Sequence, residues 1–323
     1  MRPVEVADTI GSTAVIEASA PPQPRHDRPT GTPALLFNYA DILTRCEPFL
    51  IAHRGILDQL DRSPMGVHIP PGNIIDPQLR RHEGMLGMMR LVDRLTYGPY
   101  GMQMPDWVFY DCAVMPGAVF GLGMRVEQLE PWALAAMKVP AGYDGLVPVT
   151  QFIAIPMLEG FGGHDGPVSN TWLMYSMGGI NQVSRGMAPP GVFKLTLVLG
   201  LRVFPISILY GTTQWRSPKL AVYVDLGPLE LLTAYTPAHS LPRTLSFRLP
   251  IEEAQLNSVL ASPRVSPHAP PPNAVLDLDS VDELMALQGD IEAGWRALLV
   301  GHPTNYGAHA RIALHRSPPQ RLP

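Results

Sequence analysis

Across Tyr39–Leu60 the apolar residues Leu43, Phe49, Leu50, Ile56, Leu57 and Leu60 share one side of a helix. Leu79, Met85, Leu86, Met89, Val92 and Leu95 do the same across Gln78–Leu95. Such spacing predicts two amphipathic helices. The runs WVFYDCAVM and AVFGLGMRV, parted by Pro116 and Gly117, predict a β-hairpin. LVPVTQFIAIPML predicts a buried strand, and NTWLMYSMGGINQVSRG has helical spacing. PPGVFKLTLVLGL predicts a helix opened by Pro190 and Gly191 that feeds the strand RVFPISILYG. A short helix SPKLAVYVDLG and the strands LELLTAYT and RTLSFRL complete the body.

This order predicts an α+β (α/β-type) body over residues 34–250, a mixed central sheet with flanking helices. Residues 1–33 are rich in Pro, Ser, Thr and Ala and read as a disordered leader. Residues 251–276, holding SPRVSPHAPPPN, read as a proline-rich linker. In 277–300, Ser280 followed by Glu283 is a capping-box signature. Val281, Leu284, Met285, Leu287, Ile291, Trp295, Leu298 and Leu299 then form the stripe of a C-terminal helix, which must pack on the body or form a homodimer contact. Residues 301–323 read as a loose tail.

Composition narrows the function. Of 323 residues, 46% are hydrophobic and 16% charged, with a formal net charge of -4 and no basic run, which argues against a nucleic-acid partner. Apolar runs are interrupted by Lys194, Arg202 and Pro205, so no membrane span is expected. The two cysteines, Cys46 and Cys112, form no C-x-x-C pair. No metal site is expected, and a reducing, cytoplasmic setting is.

The segment AVYVDLG places Tyr223 four residues before Gly227, at the end of a helix and just ahead of a strand. Together with the element order from Tyr39 to Leu249, it resembles the GCN5-related N-acetyltransferase fold. In that family a hairpin and a central strand are followed by a cofactor helix, a strand, a helix and a closing strand pair. The resemblance implies acetyl- or acyl-coenzyme A as co-substrate, direct attack of an amine on the thioester, and Tyr223 as the acid that protonates the departing thiolate. It also implies contacts from the strand that holds Ile155 and Met157, and a cofactor loop at Arg185, Gly191, Val192, Phe193 and Lys194. The loop departs from the family's Arg/Gln-x-x-Gly-x-Gly/Ala, because Pro189 and Pro190 have no N–H to give.

Other residues offer chemistry of their own. His164, in the glycine-rich GFGGHDGP, is a candidate base for the acceptor amine, and His239 could face the same cleft. Asp111, in an apolar run, needs a partner if buried. Cys112 reads as a small core residue. Lys194, in GVFKLTLVL, is either a snorkelling lysine or a desolvated amine able to form a Schiff base. Three functions follow: an acyl-coenzyme A dependent N-acyltransferase or diverged relative acting on a small-molecule acceptor, a non-catalytic module that binds a small hydrophobic ligand or a protein, and a Schiff-base lyase.

Overall fold

The computed structural model describes residues 39–105, 107–109, 117–157, 170–180, 186–239, 241–261, 269–304 and 309–319. The expected leader, the run around Asp111 and Cys112, His164 and Arg185 lie outside them. In chain order the elements are α1 (Tyr39–Arg45), β1 (Glu47–Ala52), α2 (Arg54–Leu57), α3 (Glu83–Tyr97), β2 (Ala118–Arg125), α4 (Pro131–Ala136), β3 (Leu146–Pro156) and β4 (Thr171–Gly179). Then come α5 (Val192–Val203), β5 (Ile208–Gln214), α6 (Lys219–Leu226), β6 (Leu229–Thr233), β7 (Thr244–Pro250), α7 (Glu253–Ala261), β8 (Ala274–Asp277), α8 (Val281–Glu292), β9 (Arg296–Leu299) and β10 (Arg311–Ser317).

The chain is mixed α/β. The ten strands among the described residues form one sheet in the order β1-β2-β3-β4-β5-β7-β6-β9-β10-β8. Every neighbouring pair is antiparallel except β4 and β5, which run parallel. The core forms because each central strand is apolar on both faces. Phe152 and Ala154 of β3 lie in the cluster with Leu197, Val198 and Leu201 of α5, and Ile153 lies with Met85, Leu86 and Met89 of α3. Thr150 and Thr196, both buried, share a 2.6 Å hydrogen bond that locks α5 to β3. Trp172 stacks on Phe204 with ring centroids 5.1 Å apart.

Several expectations are corrected. Tyr39–Leu60 is not one helix. After α1 the stretch EPFLIA becomes strand β1, with Phe49, Leu50 and Ile51 all buried, because an apolar run covered on both faces fits a strand as well as a helix. TWLMYSMGG is strand β4 rather than helix. The expected hairpin partner of β2 begins instead with a turn at Trp107 and helical residues Val108 and Phe109, and β2 pairs with β1 and β3.

The C-terminal expectations change most. The segment read as linker contains α7 and β8, and the segment read as loose tail contains β10. The predicted helix stops at Glu292, and Arg296–Leu299 turn into β9. Ser280 does cap α8, its side chain accepting from the Glu283 amide, while Glu283 accepts from the Asp277 amide rather than closing the box. Leu284 and Leu287 of the stripe are buried within the chain, and Met285 is exposed. The four C-terminal elements therefore extend the sheet beyond β6. Glu230 fixes this junction by accepting from both Arg248 and Arg296.

Candidate functional site: an opening in the sheet

The parallel pair does not run the length of its strands. β4 and β5 are in register over only three pairs, Thr171 with Ile208, Trp172 with Leu209 and Leu173 with Tyr210. The physical cause lies on the other edge of β4. There Ile153 faces Ser176 while the next residue, Ala154, faces Met174, so Tyr175 is an extra residue in β4. Such a bulge bends its strand and breaks the ladder. Among the described residues, β4 has no strand partner on its β5 side beyond Leu173.

Met177 exposes its backbone to that opening. Its N–H donates to the Tyr97 hydroxyl at 3.1 Å, and the same hydroxyl donates to the Met177 carbonyl at 2.6 Å. Lys219 Nζ donates to the Tyr97 hydroxyl at 2.9 Å and also to the Met177 carbonyl. The ammonium lies 4.5 Å from the centre of the Tyr97 ring and 5.8 Å from that of Phe193, distances at which a ring face attracts a cation. Among the described residues Lys219 has no carboxylate partner. A cation thus sits at the break in the sheet, held by neutral groups among the described residues.

The start of α5 borders the same opening. Gly191 holds a left-handed conformation (φ 85°) at its N-cap, one that glycine adopts without strain. The Val192 amide is taken by the Pro189 carbonyl. The amides of Phe193 and Lys194 then begin the helix in the first-turn positions that lack intrahelical acceptors. A Cβ placed on Gly179, the last residue of β4, would lie 3.5 Å from the Phe193 ring, so strand end and helix start abut.

Polar groups without protein partners line the neighbouring face of β3 and β4. Gln151 is fully buried with both amide atoms unbonded, and the Ser176 and Thr96 hydroxyls are likewise buried and unbonded among the described residues. Gln151 faces Gly178 across the ladder, and a Cβ on Gly178 would lie 3.7 Å from Thr96 Oγ1 and 3.8 Å from Gln151 Cγ. These side chains surround one backbone site beside Met177.

The sequence-predicted residues divide. Gly191, Val192 and Phe193 meet at the α5 start. Tyr223 lies one helical turn after Lys219 and so on the same face of α6. It is 2% exposed and packs on Phe247 with centroids 5.5 Å apart. Burial, and then the nearby Tyr97, push its phenol well above the usual 10. The phenol that stands in front, on Lys219, is Tyr97.

Lys194 turns away from the opening. Its Nζ donates at 2.6 Å to Asp225 Oδ2, with both side chains buried, and His302 Nε2 lies 2.5 Å from Asp225 Oδ1. Burial raises the Asp225 pKa, but the hydrogen bonds from His302 and Lys194 outweigh it and hold the carboxyl below its ordinary range. Ile155 lies in β3, which pairs with the other edge of β4, and Met157 follows the last residue of β3, its amide donating to the Thr171 carbonyl at 2.8 Å. His239 sits in a turn, its Nδ1 accepting from the Leu241 amide at 3.0 Å.

Sequence reasoning missed Lys219 and Tyr97. One signal was available: Lys219 is one of only three lysines, Lys138, Lys194 and Lys219. Among the described residues no group of three or more His, Cys, Asp or Glu is arranged to hold a metal ion. No described helix is long and apolar enough to cross a membrane. No protein-family model matches the chain and no curated protein matches it.

Proposed function

We propose that the protein is an acyl-coenzyme A dependent N-acyltransferase, or a diverged relative, acting on a small-molecule amine in the cytoplasm. The observation that carries this reading is the break between β4 and β5 after three residue pairs, with a cation inside it. Support also comes from the strand order, in which hairpin-linked strands, a helix, a strand, a helix and a closing strand pair follow one another as in the GCN5-related fold.

The residues present fit such a co-substrate in part. The Phe193 and Lys194 amides at the start of α5 and the Lys219 ammonium suit an anionic group, while Pro189, Pro190 and the Lys194 side chain, taken by Asp225, add nothing to that cradle. Coenzyme A would supply the acyl group as a thioester, which the amine takes as the C–N bond forms and the C–S bond breaks. In this reading Tyr97 Oη, released from the Met177 carbonyl, gives its proton to the departing sulfur, and a thiol of pKa about 8.5 asks little of that acid. Lys219 Nζ, 2.9 Å away, steadies the charge left on the phenol oxygen. Gln151, Ser176 and Thr96 provide donors and acceptors for the acceptor molecule. The base that takes the amine's proton is His164 in this reading.

Coenzyme A is therefore expected to raise the melting temperature, because a ligand that binds only the folded state stabilises it. Acetyl-coenzyme A with a panel of amines should release free thiol. An unchanged melt at millimolar coenzyme A would remove the reading.

One observation favours a second reading, binding without turnover. The Met177 N–H and carbonyl are already satisfied by Tyr97. A ligand retained by the Tyr97→Phe variant with no thiol released by the native protein would select it. A Schiff-base role for Lys194 would first require its amine to leave Asp225.

A further inference from the structure

We infer that the C-terminal extension is a strap that sets the start of α5, and that His302 is the positioning residue through which it acts. The contacts stand without a ligand, and their consequence rests on the reading of the opening between β4 and β5 as a ligand site. By itself the chain fixes the start of α5 weakly. The N-cap is Gly191, which has wide backbone freedom and no side chain to accept from the first-turn amides. Thr196 ties α5 to β3 through Thr150. Ahead of Thr196, the polar anchor of the first turn is Lys194.

Asp225 draws four segments to one buried residue. Its carboxylate holds Lys194 of α5 on Oδ2 at 2.6 Å and His302 on Oδ1 at 2.5 Å. Its backbone carbonyl accepts from Gln255 Nε2 of α7 at 2.7 Å. Tyr39 of α1 lies near the same charge, since burial and then Asp225 raise its phenol above the usual 10. The Lys194 and Asp225 side chains are buried, whereas that of His302 is 37% exposed, so solvent reaches the trio from the His302 side. A buried carboxylate keeps its geometry when both oxygens have partners. With His302 withdrawn, Oδ1 must turn towards water, and the grip on Lys194 turns with it.

The extension presents His302 from a fixed frame. The residue follows β9, which pairs with β6 on one edge and β10 on the other. Just beyond it, Thr304 and Arg311 exchange backbone hydrogen bonds at 2.7 and 3.0 Å. A Cβ on Gly301 would lie 3.0 Å from the Ala313 Cβ, so the turn sits against β10. The position of β9 and β10 is thereby passed through one imidazole and one carboxylate to the helix end that borders the opening.

The test follows hydrogen exchange by mass spectrometry in the full-length protein, comparing α5 with α3, which packs on the other face of β3. His302→Ala is expected to speed exchange in the first two turns of α5 by about tenfold or more, as for loss of one charge-assisted contact. Exchange in α3 should stay as in the native protein. His302→Gln, whose amide nitrogen can donate to Asp225, should restore slow exchange. Arg296→Ala removes a different contact of the extension, that with Glu230, and should leave α5 unchanged. By calorimetry, coenzyme A affinity should fall by about tenfold in His302→Ala and recover in His302→Gln. Unchanged α5 exchange in His302→Ala, an equal rise in α3, or no recovery in His302→Gln would overturn the strap. An equal effect of Arg296→Ala, or coenzyme A binding that His302→Ala leaves untouched, would overturn it too. A native protein that binds no coenzyme A would remove the reading of the opening alone, and the exchange result would still decide the strap.

Discussion

Lys194 Nζ and Asp225 Oδ2 lie 2.6 Å apart inside the protein, tying the first turn of α5 to the last turn of α6. His302, from the chain after β9, closes on the other oxygen of the same carboxylate. One aspartate therefore joins both helices beside the sheet opening to the C-terminal extension.

Removing one partner of a buried pair strands the other. Asp225→Ala should lower unfolding free energy by about 3–5 kcal/mol, the range for an uncompensated buried charge. Replacing Lys194 by Met together with Asp225 by Leu should recover most of that loss. Urea denaturation of the single and double variants measures both. A single variant within 1 kcal/mol of native (roughly the worth of an exposed pair) would contradict this account of the pair.

Acid should act through the same carboxylate. Its folded-state pKa lies below its unfolded value, so its contribution is fully present above the unfolded value of about 3.9 and is lost as pH falls through the folded one. Glu230 and Asp279 are shifted in the same direction by their arginines, against the opposing effect of burial. Stability should thus drop on acidification below about pH 4, and less steeply in Asp225→Asn. Parallel slopes for the two proteins would show that Asp225 contributes nothing to the profile.

Gly121 of β2 gives a packing test. A Cβ at this position would overlap the Phe49 ring and the Thr150 carbonyl. Because one of these atoms is backbone, no rotamer change relieves the clash. Gly121→Ala should destabilise by about 1–3 kcal/mol, the usual cost of overpacking, or more. Gly72→Ala, where a Cβ meets nothing within 4 Å, serves as the control in the same thermal melts.

The two phenols should respond differently. Tyr223 makes no hydrogen bond among the described residues and packs on Phe247. Tyr223→Phe should therefore leave both thiol release and stability within about 1 kcal/mol of native. Tyr97→Phe removes the group that bridges Met177 and Lys219, and should lower the rate of thiol release by 10²-fold or more, roughly the range for a positioned acid, with little change in coenzyme A affinity. The reverse ranking in a steady-state assay would return the acid role to Tyr223.

The sequence made α3, α5 and α6 legible because each has a long stripe or a clear breaker at its start. It hid β1 and β4 for physical reasons. Glu47–Ala52 is apolar on both faces, so no period of two survives, and the extra residue at Tyr175 interrupts alternation in β4 just where the spacing then imitates a helix. Proline density suggested a linker after Pro250, yet tertiary pairing with β10 holds the short strand β8. Tyr223 was readable from its distance to Gly227. The pairing of Asp225 with His302, 77 residues away, and the meeting of Tyr97 with Lys219, 122 residues apart, exist only once the sheet has formed.

The most direct test of the central claim is a calorimetric titration of coenzyme A into the native protein and into Lys219→Met. The account predicts saturable binding at one site in the native protein and affinity weaker by about tenfold, as for loss of one charge-assisted contact, in the variant. No heat of binding, or identical affinity in both proteins, would contradict the assignment of the opening between β4 and β5 as the thioester site.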